Sequence, residues 1–256
     1  MTDTDPPKSD PARMMRLLWR ESMPVRSKPG RKPSLAIDAF IDAAIEIADQ
    51  DGLPALTIRN LALRLRKPTM AVYTFVSSRE ELVPLMLDTI HGRMRRARPA
   101  SSNWKDCVKA VAEDNRSLFR QHVWAADVSF ARPALGPGTM AKYEHELNAL
   151  EGLGLDDVTT DDVLTHILVV VSSLARAEAN QRSPGGAIAM SDEGWWAANA
   201  PFFTLAFDPE KFPLAARIGS AAGQVRGGAF DPSYAWDFAV DRLIDGLEGL
   251  VAGSSR

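Results

Sequence analysis

The sequence predicts an all-α protein made of a small N-terminal helical unit followed by a larger C-terminal one. Three observations predict it. Apolar residues recur at three- and four-residue steps through most of the 256 positions. Helix start and stop signals bracket these runs, and convincing period-two alternation flanked by hairpin signals is absent. At 45% apolar content the chain can bury a substantial core, which excludes disorder of the chain as a whole. Cys107 is the only cysteine and no secretory leader pattern opens the sequence, so a cytoplasmic location is expected. The longest apolar run, 167–175, stops at Arg176, short of the ~20 residues that span a bilayer. It is expected to be a buried helix, with no membrane partner.

Residues 1–12, rich in Pro, Asp and Ser, are expected to lack fixed structure. Residues 13–21 predict two helical turns with Met14, Leu17 and Leu18 on one side. The chain then extends over 24–33, where Arg26, Lys28, Arg31 and Lys32 sit among Pro29, Gly30 and Pro33. Such a segment reads either as a basic arm for a polyanion or as a solvated linker. From Ser34, a plausible N-cap, Ile37, Phe40, Ile41, Ala44, Ile45 and Ala48 define an amphipathic helix that Gly52 stops. Thr57 can cap a second, short helix with Ile58, Leu61, Ala62 and Leu65 as its buried stripe. Only about three residues later a third begins near Pro68, a good first helical residue, and runs through Val72 and Tyr73 to Phe75. Ser77 and Ser78, followed by Glu80 and Glu81, offer two capping boxes for a fourth helix carrying Leu82, Leu85, Met86, Ile90 and Met94. Pro84 within it predicts a kink or a late start.

Beyond the basic cluster Arg93, Arg95, Arg96 and Arg98, long helices are predicted over 104–121, 139–153 and 160–181. A Pro/Gly loop at 183–187, a short aromatic stretch at 193–207 and an irregular region containing Pro209, Pro213, Gly223, Gly227 and Gly228 precede a last helix over 233–251. The charge divides with this layout. Residues 1–98 carry 17 Lys/Arg against 12 Asp/Glu, a net +5, leaving 13 against 21, or −8, for the rest. A protein that only coats polyanions is more often basic throughout, whereas a regulator needs positive charge on its reading head alone.

Two short helices joined so tightly cross steeply, and a helix-turn-helix of this kind presents one face of its second helix to the DNA major groove. That helix would be Pro68 to Thr74, with Val72 and Phe75 or Val76 buried and Thr69, Met70 and Tyr73 facing the groove or its rims. Lys67 adds a positive charge at its start. Arg59, in the first turn of the supporting helix, has the fork that grips guanine O6 and N7 or a phosphate. The bland alternative for each is an ordinary exposed polar residue.

The stretch ALTIRNLALRLRKPTMAVYTFVSSREELVPLMLD, residues 55–88, resembles the DNA-binding domain of TetR-family repressors, with its Leu-Thr-x-Arg supporting helix, its Tyr after Val, and a basic residue and Glu opening the fourth helix. The GRKPSL phrase before the first helix resembles the tetracycline-repressor branch. The resemblance implies a three-helix helix-turn-helix domain over 34–98 and a helical ligand-binding and dimerisation domain over 99–256, which leaves residues 1–33 as the disordered, basic N-terminal arm. By position it implies DNA contacts from Thr57, Arg59, Thr69, Met70 and Tyr73, with Arg79, where the family usually has Lys, on a phosphate; Thr74, at the end of the same helix, is a further candidate. Two departures stand out. Arg66 and Lys67 occupy a turn that usually holds Gly and a small apolar residue, and Phe75 replaces a common His. An Arg forced into a left-handed turn costs roughly 1 kcal/mol.

The family layout further implies a four-helix bundle between two copies of the chain, using Leu164, Ile167, Leu168, Val171 and Leu174 of one helix and Trp236, Val240, Leu243, Ile244 and Leu247 of the last. The alternative for these ten is an intramolecular core. The layout also implies an effector cavity, for which Trp104, Phe119, Trp124, Phe130, Met140, Tyr143 and His166 are candidates, since aromatics with a few polar tips suit a mostly apolar pocket. His91, His122, His145 and His166 lack metal-ligand spacing, so no metal site is expected. Nucleophile-elbow, phosphate-loop and dinucleotide motifs are missing, so neither enzyme activity nor a cofactor is expected. The expected partners are operator DNA, a second copy of the chain and a small-molecule effector. The competing reading is a helical adaptor or ligand-binding protein that has lost specific DNA binding, the altered turn being the mark of that loss.

Overall fold

Helix α1 (Pro11–Leu18) precedes the fold expected from the sequence and packs back onto it, burying Leu18. The computed structural model describes residues 11–22, 33–76, 78–96, 103–128, 132–182 and 192–254. Next comes α2 (Pro33–Asp51), which starts one residue before the anticipated cap Ser34, as suits the fixed φ of Pro at a first helical position. Its buried side is the expected stripe, Ile37, Phe40, Ile41, Ala44, Ile45 and Ala48, with Ala43 and Ile47 added. Gly52 ends it at φ 76°, and a 3-10 turn over Leu53–Ala55 leads to α3 (Ile58–Arg64) and α4 (Thr69–Tyr73). α3 and α4 pack on each other and, with α2, close a core around Leu61, Val72 and Val76. Pro68 is the N-cap of α4 and not its first residue.

Helix α5 (Arg79–Arg93) begins at Arg79 despite Pro84, so the late start does not occur. The N-cap Ser78 makes no capping bond through its side chain, and Ser77 lies outside the described residues. α5 leads to α6 (Trp104–Gln121), whose bounds match the expected ones, and a 3-10 turn over Val123–Asp127. Then follow α7 (Pro137–Leu147), shorter than predicted, and α8 (Asp157–Arg182). The aromatic stretch and the supposedly irregular region are two helices, α9 (Asp192–Ala206) and α10 (Pro213–Arg226), before α11 (Pro232–Ser254). All eleven α-helices are thus among the described residues, and no strand is.

α5 crosses α7 closely and α2 meets the 123–127 turn, which joins the two units, while within the C-terminal unit α8 packs on α6, α11 and the same turn. By length and composition α8 could cross a bilayer, unlike the shorter run expected. Its apolar face instead meets α6, α7 and α11. That core takes in residues expected at a subunit interface. Leu164, Ile167, Val171, Trp236, Val240, Leu243, Ile244 and Leu247 are buried inside the single chain, with Leu168 and Leu174 half-buried against the same core. The most apolar stripes of α8 and α11 turn toward α6, since burial within the chain is the nearest way to remove them from water.

Candidate nucleic-acid interface and ligand cavity

The geometry of the reading head turns on Arg66. Its φ of 52° makes it the one non-glycine residue with positive φ among the described residues. The Lys67 N–H donates to the Ala62 carbonyl at 2.9 Å and the Arg66 N–H to the Leu63 carbonyl at 3.1 Å. This bond pair is the Schellman ending of α3, formed with Arg where Gly is usual. The tight turn is therefore preserved, and the departure in sequence is not one in shape. Thr57 caps α3, its hydroxyl accepting from the Asn60 N–H at 3.1 Å. Arg64 holds α3 on α2 through Gln50 at 2.6 Å and Glu46 at 3.3 Å.

Val72 at the centre of α4 is fully buried, and Phe75 stacks on Phe40 with centroids 4.6 Å apart. The opposite face carries Thr69, Met70 at 74% exposure and Tyr73 at 47%. Arg59, Lys67, Thr74 and Arg79 are exposed beside it. Arg59 has no hydrogen bond or ion pair with the described residues, so its fork is free for an external partner. The Thr74 hydroxyl already donates to the Ala71 carbonyl at 2.7 Å, leaving only its lone pairs. Arg26, Lys28, Arg31 and Lys32 lie outside the described residues.

A second feature is a cavity of about 370 Å³ between α5, α6, α7 and α8. Of the candidates, Phe119, Met140 and Tyr143 line it. Trp124 instead faces a cleft beside α2, where its indole N–H donates to Asp49 at 2.8 Å. Trp104 and the exposed His166 line neither, and Phe130 lies outside the described residues. The polar wall went unread in the sequence. Lys142 and Glu146 form a buried pair with contacts of 2.7 and 2.8 Å, and Glu146 also accepts from Asn115 at 2.6 Å. Burial pulls the Lys142 pKa down against the opposing attraction of Glu146. The ring of His91 lies 3.0 Å from the Thr139 hydroxyl. Burial, with Lys142 and Arg96 nearby, pushes the His91 pKa down to about 3, so it is neutral near pH 7.

This wall is bolted to the reading head. Asp88 of α5 accepts from the Thr139 backbone N–H at 2.8 Å, satisfying a donor of the first turn of α7. On the other side Asp49 of α2 receives His122 Nδ1 at 2.8 Å together with Trp124. No group of three or more potential metal ligands occurs among the described residues.

The fold and the two features define a helix-turn-helix regulator with a cavity-bearing helical domain. The C-terminal part, residues 98–251, matches the family described as "Tetracyclin repressor-like, C-terminal domain". The chain is 32% identical to the HTH-type transcriptional repressor DrrR1 of Streptomyces coeruleorubidus over 95% of its own length and 87% of that protein's. It is 30% identical to an HTH-type transcriptional regulator of Saccharopolyspora erythraea over 68% and 75%. Among solved structures, apo ActR from Streptomyces coelicolor superposes with a TM-score of 0.67 at 24% identity, covering 85% of this chain and 95% of that one. ActR in complex with actinorhodin gives 0.67 over 82% and 93%. The chain belongs to the tetracycline-repressor-like family of transcriptional regulators. Members of that family bind operator DNA as homodimers and respond to small molecules, and they are not enzymes.

Proposed function

We propose that this protein is a cytoplasmic, ligand-responsive repressor that reads a palindromic operator as a homodimer, with its reading head within 34–98 and its regulatory domain within 99–256. The observation that carries the proposal is the exposed face of α4 beside an unengaged Arg59, held in place by an intact turn at Arg66. In this reading Arg59 contacts a guanine edge, and Tyr73 and Arg79 hold phosphates. Thr57, Lys67, Thr69, Met70 and Thr74 complete the contact surface. A second copy of the chain is supported by α9 and α10, which bury none of their described side chains yet expose Phe202, Phe203, Leu205, Leu214 and Ile218. The effector enters the cavity lined by Phe119, Met140 and Tyr143. ActR, a protein of the same fold, is known in complex with actinorhodin.

Selection from a pool of random duplexes tests the reading. The expected result is enrichment of a palindrome. On it, Arg59→Ala loses ~1–3 kcal/mol and relaxes preference at one position per half-site, while Tyr73→Phe weakens all sequences alike. A pool without enrichment favours the helical adaptor. Sedimentation as a monomer at micromolar concentration overturns the homodimer.

A further inference from the structure

The α1 segment reaches the residues just after the recognition helix at one end and the chain beside the cavity wall at the other. Near its start the Arg13 guanidinium donates to the Phe75 carbonyl at 2.9 Å, two residues beyond the last residue of α4, and lies 3.8 Å from Glu81 of α5. Its last residue, Leu18, is buried. Just past its end the Trp19 indole N–H donates to the Leu135 carbonyl at 2.8 Å, and Arg20 holds Asp38 of α2 through two nitrogens. Leu135 adjoins Ala134 and Pro133, which line the cavity. One short helix thus links the cavity wall to the end of α4 without passing through α5 or α7.

We propose that α1 is a strap, with Arg13 and Trp19 as positioning residues that fix the angle of the reading head on the regulatory domain and so set the half-site spacing the dimer accepts. The inference rests on the DNA-binding reading above. The head has two other polar joints to the body, Asp88 with Thr139 and Asp49 with His122 and Trp124. Both lie on α2 or α5, and neither touches α4. Of these joints only the strap holds the end of the recognition helix by a hydrogen bond, beside the Phe40–Phe75 stack, so a head without it rocks on the remaining joints. The two recognition helices of a dimer must fall one helical turn of DNA, or a multiple of it, apart, and a rocking head tolerates more than one separation.

Trp19→Phe tests this, because it removes the N–H and keeps an aromatic ring. The comparison is affinity for the selected palindrome against the same site lengthened by one base pair, with an isolated half-site as control. The ratio is expected to fall ~3–10-fold, the scale of one neutral hydrogen bond, with half-site affinity changing less than ~2-fold. Arg13→Lys, which keeps the charge and loses the fork, is expected to act in the same direction. Amide exchange of the free protein needs no DNA, and exchange over 69–76 should quicken in both variants. A lower Tm with an unchanged spacing ratio and unchanged exchange means that α1 only stabilises the fold, and the strap is wrong. Failure of the pool to enrich any palindrome refutes the DNA-binding reading separately, and unchanged exchange would still overturn the strap.

Discussion

At the scale of single residues, Arg66 shows that a rule about residue type is really a rule about conformation. Glycine is common at this turn because it adopts positive φ without strain, and Arg adopts the same φ here at a cost. The Schellman bonds of Lys67 and Arg66 offset that strain. The strain implies a stabilising substitution. Arg66→Gly should raise stability by ~0.5–1 kcal/mol, since relief of the left-handed penalty exceeds the entropy gained by the unfolded chain. The guanidinium is exposed next to the reading surface, so the same variant should bind all DNA sequences more weakly. Its salt slope should flatten by ~0.9 for each phosphate that the guanidinium neutralises in the parent. Thermal unfolding and a salt titration together check both halves. A less stable Arg66→Gly protein would mean that the Arg side chain contributes more than its backbone costs.

Between elements, the crossing of α5 and α7 carries the tightest packing at the joint. A Cβ on Gly138 would overlap the Asp88 carbonyl oxygen and approach the Gly92 nitrogen to 2.8 Å. Both are backbone atoms that no rotamer change can clear, so Gly138→Ala should cost ~3 kcal/mol and part the two helices. Unfolding in urea measures it, and a neutral result would mean that the crossing is looser than it stands. His91 makes the same joint sensitive to pH. Its folded pKa of about 3 lies below the ordinary 6.5, so the unfolded chain binds the extra proton between those values. That part of the stability is whole above pH 6.5 and is lost as pH falls toward 3. From pH 7 to 5 the loss should reach at most ~2 kcal/mol, because part of the ring remains in solvent. His91→Gln should remove that slope. Little of this joint was legible in the sequence. Lys142 and Glu146 are four apart, a spacing usual for a solvated helix pair, and His91 meets Thr139 from 48 positions away. The candidates chosen for aromatic character therefore found only part of the cavity. By contrast α3, α4 and their buried stripe were legible because caps and apolar periodicity lie within a dozen residues. The missed α10 shows local signals misjudged. Pro213 and Gly227, taken as breakers, are its first residue and its left-handed C-cap at φ 70°.

For the whole molecule, the basic residues Arg26, Lys28, Arg31 and Lys32 fall in sequence between α1 and α2, outside the described residues. α1, which precedes them, is fastened to Phe75, α5 and α2, and α2 follows them. Deleting residues 1–32 would remove the strap along with the charges and could not separate their effects. Replacing Arg26, Lys28, Arg31 and Lys32 together by Gln leaves α1 intact and isolates the electrostatics. If half of these charges meet phosphates, a dimer makes ~4 such contacts, and the slope of log affinity against log salt should flatten by ~3.5 in the quadruple variant. Its affinity loss should be largest at low salt, and its preferred bases should stay those of the parent, because phosphate neutralisation carries no sequence information. The spacing ratio should also stay unchanged, since Trp19 and Arg13 are untouched. Fluorescence anisotropy on the selected palindrome across ~50–300 mM salt reads all three quantities. A slope equal to that of the parent makes the segment a solvated connection between α1 and α2 and leaves DNA reading to α3, α4 and the start of α5.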